Sequence, residues 1–281
     1  MNNGFEEVSE VILTTPKCFR SISSNPAILA CREISPYYID LRVIYSLPEK
    51  RNIIIYWMVD SIDRYVEKGI DKLTTTETAG IPICSFVGDD LNIGTSYVKK
   101  KTKAYGLGKQ IEGIIEKGEY VVGVDDLVTK GTTAEKAIKA VKEIGAEIDK
   151  YFVIFDRKQG GKELLKRYNV ELYSLAEMCS QFIDIALKKG LITKNEYELF
   201  KKYSENPTEW SRNFIRENPN YLKEKIKEVV KDGKITSMAP LEVLTTGHPE
   251  LKKEFEHEVR NWLDEFGVKH EVLEFKYVPN Y

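Results

Sequence analysis

The sequence of 281 residues has no long apolar run and almost no net charge, with 42 basic residues set against 44 acidic ones. Its longest apolar stretch, residues 53–59, is far shorter than the roughly 18 to 20 residues that a membrane-spanning helix requires. The N-terminal segment is acidic and lacks the basic and then apolar order of a secretory signal. We therefore expect a cytoplasmic protein that binds neither a membrane nor, given its charge balance, nucleic acid.

Metal and redox motifs are also missing. Cys18, Cys31, Cys84 and Cys179 contain no CxxC pair, and this distribution is typical of reduced cytosolic thiols rather than of disulfides or a zinc site. Residues 1–190 contain no histidine, and the three histidines beyond them have no metal-binding spacing.

What is present, in residues 51–178, is an alternation of apolar runs and helical periodicity, which predicts an α/β fold with a mainly parallel sheet. After about residue 190 the pattern changes to short helical pieces. We therefore divide the chain into residues 1–188 and a smaller, mostly helical unit, residues 189–281. The predicted strands are 82–87, 120–124, 151–155 and 268–278, and the predicted helices are 53–68, 132–145, 162–168, 196–202, 210–217, 221–231 and 249–266.

The strongest functional signal is the sequence VVGVDDLVTKGTT at residues 121–133, an apolar strand followed by two acids, a Thr/Gly-rich turn and a helix. Threonine hydroxyls and the N–H groups of a helix N-terminus suit a phosphate. Asp125 and Asp126 would repel a bare phosphate and suit sugar hydroxyls or hydrated Mg²⁺, so a phosphorylated sugar meets both demands. The motif is neither GxxxxGK[ST] nor GxGxxG. The structural alternative is a tight turn whose acids offset the helix dipole.

This motif resembles the 5-phosphoribosyl-1-diphosphate (PRPP) signature of type I phosphoribosyltransferases. Further segments, in the family's order, resemble those of orotate phosphoribosyltransferases. The resemblance covers about residues 25–180 and implies the type I phosphoribosyltransferase fold, a mainly parallel sheet flanked by helices, with the small C-terminal helical unit added. The segments are 35–42 for the substrate, 78–82 for the diphosphate, 99–106 for the mobile catalytic loop and 155–161 for the base.

The resemblance also implies roles for individual residues. Asp125 and Asp126 would contact the ribose and help to hold Mg²⁺, which is bound mainly through PRPP without a dedicated set of protein ligands. The lysines of the mobile loop would stabilise the departing diphosphate, and the family's sharing of this loop between subunits implies a homodimer. The implied catalytic lysines are Lys99, Lys100 and Lys103, and the other implied PRPP-binding residues are Thr78, Ala79, Gly80, Tyr105, Thr129, Lys130, Gly131, Thr132 and Thr133.

The residues implied for the base are Tyr37, Tyr38, Arg157 and Arg32. Where orotate enzymes usually read Lys-Ser-Gly-Arg, with the lysine on the base, this sequence has Ala30 at the lysine position, and Arg32 offers a cation nearby. The favoured function is Mg²⁺-dependent transfer of the phosphoribosyl group to orotate, a step of pyrimidine and UMP biosynthesis. Transfer to another base and a noncatalytic PRPP or nucleotide-binding regulator remain alternatives.

Overall fold

The computed structural model describes residues 3–99 and 110–268. These residues form two compact units. The first comprises the described parts of Met1–Arg20 and Ile39–Tyr197, and the second those of Ser21–Tyr38 and Glu198–Asn280. The division expected from the sequence kept residues 21–38 with the first unit, whereas the structure groups them with the C-terminal helices.

The helices and strands follow one another in chain order. The strands are β1 (Phe19–Ser21), β2 (Ala27–Ile28), β3 (Ile34–Ser35), β4 (Tyr37–Ile39), β5 (Lys72–Thr76), β6 (Gly94–Val98), β7 (Ile111–Glu112), β8 (Val121–Val128), β9 (Lys150–Asp156), β10 (Glu171–Glu177), β11 (Val230–Lys231) and β12 (Lys234–Ile235). The α-helices are α1 (Asn3–Thr14), α2 (Pro48–Tyr65), α3 (Gly80–Asp90), α4 (Thr132–Ile144), α5 (Gly161–Lys166), α6 (Ser180–Lys188), α7 (Lys194–Glu205), α8 (Pro207–Glu217), α9 (Pro219–Glu228), α10 (Ala239–Glu242) and α11 (Lys252–Glu265). Leu41–Ser46 and Pro249–Leu251 are 3₁₀-helices, and Val243–Gly247 is a π-helical turn.

A six-stranded sheet forms the centre of the first unit, in the order β10, β9, β8, β5, β6, β7. All neighbouring strands are parallel except β6 and β7. The central strand β8 is buried on both faces of the sheet. Its residues Val121, Val122 and Val124 have no exposed surface. This burial explains why β8 is a nearly continuous apolar run rather than an alternating one.

Helices flank this sheet in two groups. One group contains α1, α2, α3 and α6, which pack along one another, and the other contains α4 and α5. Helix α4 buries Ala137, Ile138 and Val141, whose spacing places them on one side of the helix. It ends at Gly145, whose φ of 86° is the left-handed conformation that glycine adopts readily. The α/β fold expected from the sequence is therefore confirmed.

One predicted strand is wrong. Residues 82–87 lie within α3, which runs from Gly80 to Asp90. The buried positions of this helix include Ile83, Cys84 and Val87, which recur at helical spacing. A short apolar run is typical of a buried helix as well as of a buried strand, so the apolar run alone could not distinguish a helix from a strand here. The other predicted strands up to residue 155 overlap β8 and β9, and the strand at 268–278 lies outside the described residues except for Val268.

The second unit is mostly helical, as expected. Its apolar core includes Ile215 of α8, Leu222 and Ile226 of α9, and Val259 of α11, all without exposed surface. Two short antiparallel pairs, β2 with β3 and β11 with β12, also lie in this unit. Among the helices of the part of the chain described here, none is long and apolar enough to cross a membrane.

Gly123 of β8 provides a test of the packing at the centre of the sheet. A Cβ atom at this position would lie 2.1 Å from the ring of Tyr151. We expect Gly123→Ala to lower the free energy of unfolding by about 1–3 kcal/mol, because the ring and strand cannot separate without loss of packing. Urea unfolding would measure the change. Gly69→Ala, where no atom lies within 4 Å of the added methyl, is the control. Equal stability of the two variants would contradict the packing described.

Candidate active site

The carboxylate of Asp125 lies at the centre of the site and is almost completely buried, with 6% of its surface exposed. Its Oδ2 accepts hydrogen bonds from Thr76 Oγ1 and from the Tyr151 hydroxyl, each at 3.1 Å. Its Oδ1 accepts the backbone N–H of Asp126 at 2.9 Å. Three donors therefore fix the orientation of one side chain.

The sheet explains how these donors meet. Thr76 is the last residue of β5, and Tyr151 lies on β9, so the two strands that neighbour β8 each supply one donor. Tyr151 pairs in register with Gly123, and its ring occupies the space that a side chain on Gly123 would fill. The missing side chain thus lets the Tyr151 hydroxyl reach Asp125.

Burial raises the pKa of Asp125, and the hydrogen bonds from Asp126, Thr76 and Tyr151 offset part of this effect. The pKa of Asp126 is raised well above its ordinary value, first by burial and then by the negative charge of Asp125. Adjacent buried carboxylates disfavour a second negative charge, and their protons are lost as a coupled pair. A ligand that brings hydroxyl donors or a cation to the pair would relieve this cost.

The turn assigned to the diphosphate lies directly beside Asp125. Thr78, Ala79 and Gly80 lead into α3, and the peptide bond before Thr78 is cis. A Cβ on Gly80 would lie 2.1 Å from Asp125 Oδ1 and 2.1 Å from Thr75 Oγ1. Only a residue without a side chain allows this close approach.

The turn assigned to the 5-phosphate follows β8, at the same end of the parallel sheet as the turn that follows β5. Gly131 has a φ of 80° and precedes α4, whose first residues, Thr132 and Thr133, are exposed. The first N–H groups of a helix have no acceptor within the helix, so they and the threonine hydroxyls face solvent at one place. The chemistry required for a phosphate is therefore present.

The segment assigned to the base contributes to this turn as well. Gly161 begins α5, and a Cβ on it would lie 2.9 Å from the carbonyl oxygen of Thr129. The Arg157 N–H donates to the carbonyl oxygen of Val128 at 3.0 Å, and the Arg157 side chain is nearly buried. Arg157 is thus placed at the same end of the sheet as the acid pair. Burial raises the pKa of its neighbour Asp156, although Asp156 accepts a backbone hydrogen bond.

The other residues assigned to the base belong to the second unit. Tyr37 has no exposed surface, and its ring lies edge-on to Phe200 and Tyr203, so a contact with a base would require the ring to leave this cluster. Tyr38 is half-buried. Arg32 forms an ion pair within the same unit. The base contacts of all three remain predictions.

Lys99 is the one loop lysine of the predicted catalytic set within the described residues. Its Nζ lies 2.6 Å from Glu112 Oε1, and its backbone N–H donates to the backbone carbonyl oxygen of Gln110 at 2.9 Å. Lys100, Lys103 and Tyr105 lie outside the described residues, so their roles remain predictions.

The acid pair offers hard oxygen ligands of the kind that Mg²⁺ prefers. Among the described residues, no group of three or more His, Cys, Asp or Glu side chains could hold a metal ion. The two carboxylates would suit a magnesium ion that takes its other ligands from a substrate and water.

Comparison with known proteins identifies the family. The phosphoribosyl transferase domain model matches residues 44–179. The chain is 33% identical over 208 residues to an orotate phosphoribosyltransferase of Listeria monocytogenes, with 74% of this chain and 98% of that protein covered. The chain belongs to the orotate phosphoribosyltransferase family. A second member, from Staphylothermus marinus, is 37% identical over 175 residues, which cover 62% of this chain and 84% of the relative. The protein therefore carries the domain of a pentosyltransferase.

Solved structures show the same fold. The orotate phosphoribosyltransferase of Aeropyrum pernix superposes with a TM-score of 0.55 at 23% identity, covering 65% of this chain and 99% of that one. UMP synthase of Leishmania donovani gives a TM-score of 0.60 at 24% identity, covering 71% of this chain and 42% of that one. The expected type I phosphoribosyltransferase fold is therefore confirmed.

The sequence did not indicate every residue at the phosphoribosyltransferase site. Tyr45 donates its hydroxyl hydrogen to the carbonyl oxygen of Ala79 at 3.3 Å, and its ring lies edge-on to Phe86 of α3. Burial raises the pKa of Tyr45, and the negative charges of Asp126 and Asp125 raise it further. A tyrosine in an apolar 3₁₀-helix gives no motif, so no sequence signal could have placed it here.

Asp126 provides a test of the electrostatics. Because its pKa is raised in the folded state, the folded protein binds this proton more tightly, and stability falls as pH rises from the ordinary pKa of aspartate through the raised one. We expect Asp126→Asn to raise the melting temperature of the free protein at pH 8 by about 2–4 °C, the shift that about 1 kcal/mol produces. The gain should disappear near pH 4, where the carboxyl is protonated.

Thermal unfolding from pH 4 to pH 8 would measure this effect. Asp63→Asn, at an exposed position on α2, is the control and should give no such gain. A lower melting temperature for Asp126→Asn at pH 8 would show that the carboxylate is stabilising, which would contradict the raised pKa.

Proposed function

We propose that the protein catalyses Mg²⁺-dependent transfer of the 5-phosphoribosyl group from PRPP to orotate, which yields orotidine 5′-monophosphate and diphosphate in pyrimidine biosynthesis. The supporting observation is the buried Asp125 beside the partly buried Asp126, with two glycine-containing turns at the same end of the sheet, one for each phosphate group. The curated relative that the chain matches over 98% of its length is named for orotate, which supports this base.

Each of the two turns would bind one of the phosphate groups of PRPP. The helix N-terminus at Thr132, together with Thr129, Lys130, Gly131 and Thr133, would bind the 5-phosphate. Thr78, Ala79 and Gly80 would bind the diphosphate beside Asp125. The ribose would then lie over the acid pair, where its hydroxyls can donate to the carboxylates.

The acid pair would assist the reaction itself. As the bond to the diphosphate breaks, positive charge develops on the anomeric carbon, and fixed carboxylates nearby favour that charge. Magnesium, when bound with PRPP, supplies positive charge to the departing diphosphate oxygens. Lys99, Lys100 and Lys103 would add further positive charge, although Lys99 must first leave Glu112. We also propose that the lysine loop is shared across a homodimer located in the cytoplasm.

A noncatalytic PRPP-binding regulator is the second candidate. It is favoured by the burial of Tyr37 and by Ala30, which leaves the base without the family's lysine. Ala30 equally supports a transferase for another base. These alternatives share the PRPP site and differ only in the step after PRPP has bound.

The fall in the ultraviolet absorbance of orotate tests the first proposal directly. We expect a decrease that requires protein, PRPP and Mg²⁺ together, and a PRPP-dependent rise in melting temperature. A rise without any absorbance change would favour a regulator or another base. If PRPP causes neither an absorbance change nor a rise in melting temperature, the proposed use of PRPP is refuted.

Replacing both acids tests the site. We expect Asp125→Asn with Asp126→Asn to lower turnover at least about 100-fold and to abolish stabilisation by PRPP, because the ribose and magnesium lose their carboxylates. Asp89→Asn with Asp90→Asn, a second adjacent acid pair that is exposed at the end of α3, is the matched control. Circular dichroism would confirm that both variants fold. Unchanged turnover in the first variant would refute the assignment.

A further inference from the structure

The side chain of Tyr45 connects the 3₁₀-helix Leu41–Ser46 to the beginning of α3, and both elements belong to the first unit. Its hydroxyl donates to the carbonyl oxygen of Ala79 at 3.3 Å, a long distance for a hydroxyl donor. Its ring lies edge-on to Phe86, with 6.3 Å between the ring centroids. Tyr45 therefore contacts α3 at two points, just before its first residue and farther along the helix.

The 3₁₀-helix that carries Tyr45 is itself held in place. Its residues Leu41 and Ile44 have almost no exposed surface. At its beginning, the carboxylate of Asp40 accepts the backbone N–H of Arg42 at 3.2 Å. The Tyr45 hydroxyl thus extends from a fixed backbone, and the tyrosine can hold another element in position.

The segment that this hydroxyl reaches is residues 78–80, which we call the diphosphate turn. Just before the turn, the Glu77 N–H donates to the last residue of β6 at 3.0 Å. At its other end, Gly80 packs directly against the side chain of Asp125. The carbonyl of Ala79 lies between these two fixed points, and Tyr45 is the side chain that holds it.

The orientation of this carbonyl determines where the next N–H points. The peptide group between Ala79 and Gly80 is planar, so its carbonyl oxygen and the Gly80 N–H point in opposite directions. Gly80 is the first residue of α3, and the first N–H groups of a helix have no acceptor within the helix. The same groups carry the positive end of the helix dipole. A hydrogen bond that fixes the carbonyl therefore also directs an N–H group that is suited to an anion.

We propose that Tyr45 is a positioning residue, which holds the peptide between Ala79 and Gly80 so that the Gly80 N–H can donate to the diphosphate of PRPP. This inference rests on the proposed function, because it requires a diphosphate at the turn. It does not depend on the base, so it applies equally to a transferase for another base and to a PRPP-binding regulator.

The surroundings of Tyr45 keep its hydroxyl a donor. Burial raises the pKa of Tyr45, and the negative charges of Asp126 and Asp125 raise it further. The hydroxyl therefore retains its proton at neutral pH. Because a carbonyl oxygen only accepts hydrogen bonds, this proton is what the contact with Ala79 requires.

Binding measurements on Tyr45→Phe test the proposal, because this change removes the hydroxyl and keeps the ring beside Phe86. Isothermal titration calorimetry would give the Kd of three probes: PRPP with Mg²⁺, inorganic diphosphate with Mg²⁺, and ribose 5-phosphate. We expect the Kd of PRPP and of diphosphate to rise about three- to fivefold, the effect of one long hydrogen bond between uncharged groups. The Kd of ribose 5-phosphate should not change, because this probe has no diphosphate.

Tyr120→Phe is the matched control. It removes a hydroxyl that donates to Asp149 at 2.6 Å, and Tyr120 precedes β8 at the end of the strand opposite the diphosphate turn. All three Kd values should stay the same in this variant. Thermal unfolding would confirm that both variants fold.

The possible outcomes are distinguishable. Unchanged binding of PRPP and diphosphate in Tyr45→Phe would overturn the inference. An equal loss of affinity for ribose 5-phosphate would show a general structural effect and would overturn it as well. Both of these results leave the proposed function standing, because the unaltered protein still binds PRPP. If the unaltered protein binds neither PRPP nor diphosphate, the proposed function fails and the inference fails with it.

Discussion

The fixed carboxylate of Asp125 is the interaction on which the rest of the site depends. It is held by donors from β5, from β9 and from its own strand β8, and its surroundings are possible only because two positions lack side chains. Gly123 makes room for the Tyr151 ring, and Gly80 lets α3 begin against Asp125 itself. The packing of the sheet therefore depends on the same two glycines as the position of the diphosphate turn and the acid pair. A methyl group at either glycine would push these elements apart.

The acid pair lowers the stability of the ligand-free protein and leaves two carboxylates available to a ligand. Burial raises the pKa of both Asp125 and Asp126, and the negative charge of Asp125 raises that of Asp126 further, so the free protein disfavours the charged form of both side chains. A core built only for stability would carry apolar side chains here. A bound cation and sugar hydroxyls would stabilise both carboxylates. The stability that the pair costs the ligand-free protein would then be recovered when the ligand binds.

The sequence was informative where the signal was local. The motif at residues 121–133 predicted β8, the turn and α4 because strand, acids, glycine and helix follow one another directly. The same reasoning failed at α3, where a short apolar run has no period that excludes a strand. It also missed Tyr45 and Tyr151, because their roles arise from contacts between elements far apart in the chain. The pairing of Arg32 with Glu242 spans 210 positions, and no local pattern indicates it.

The hairpin formed by β2 and β3 connects the two departures that the sequence shows from orotate enzymes, the altered segment at residues 30–33 and the added C-terminal helices. Arg32 has a φ of 65°. A side chain in the left-handed region costs on the order of 1–2 kcal/mol, so Arg32 needs fixed surroundings to stay there. Gly247 and Ser211 provide those surroundings, and both belong to the extension. An arginine at this position without the C-terminal helices would have neither a fixed backbone nor an oriented guanidinium. The physical dependence therefore runs from the extension, whose described residues 198–268 supply these contacts, to the hairpin.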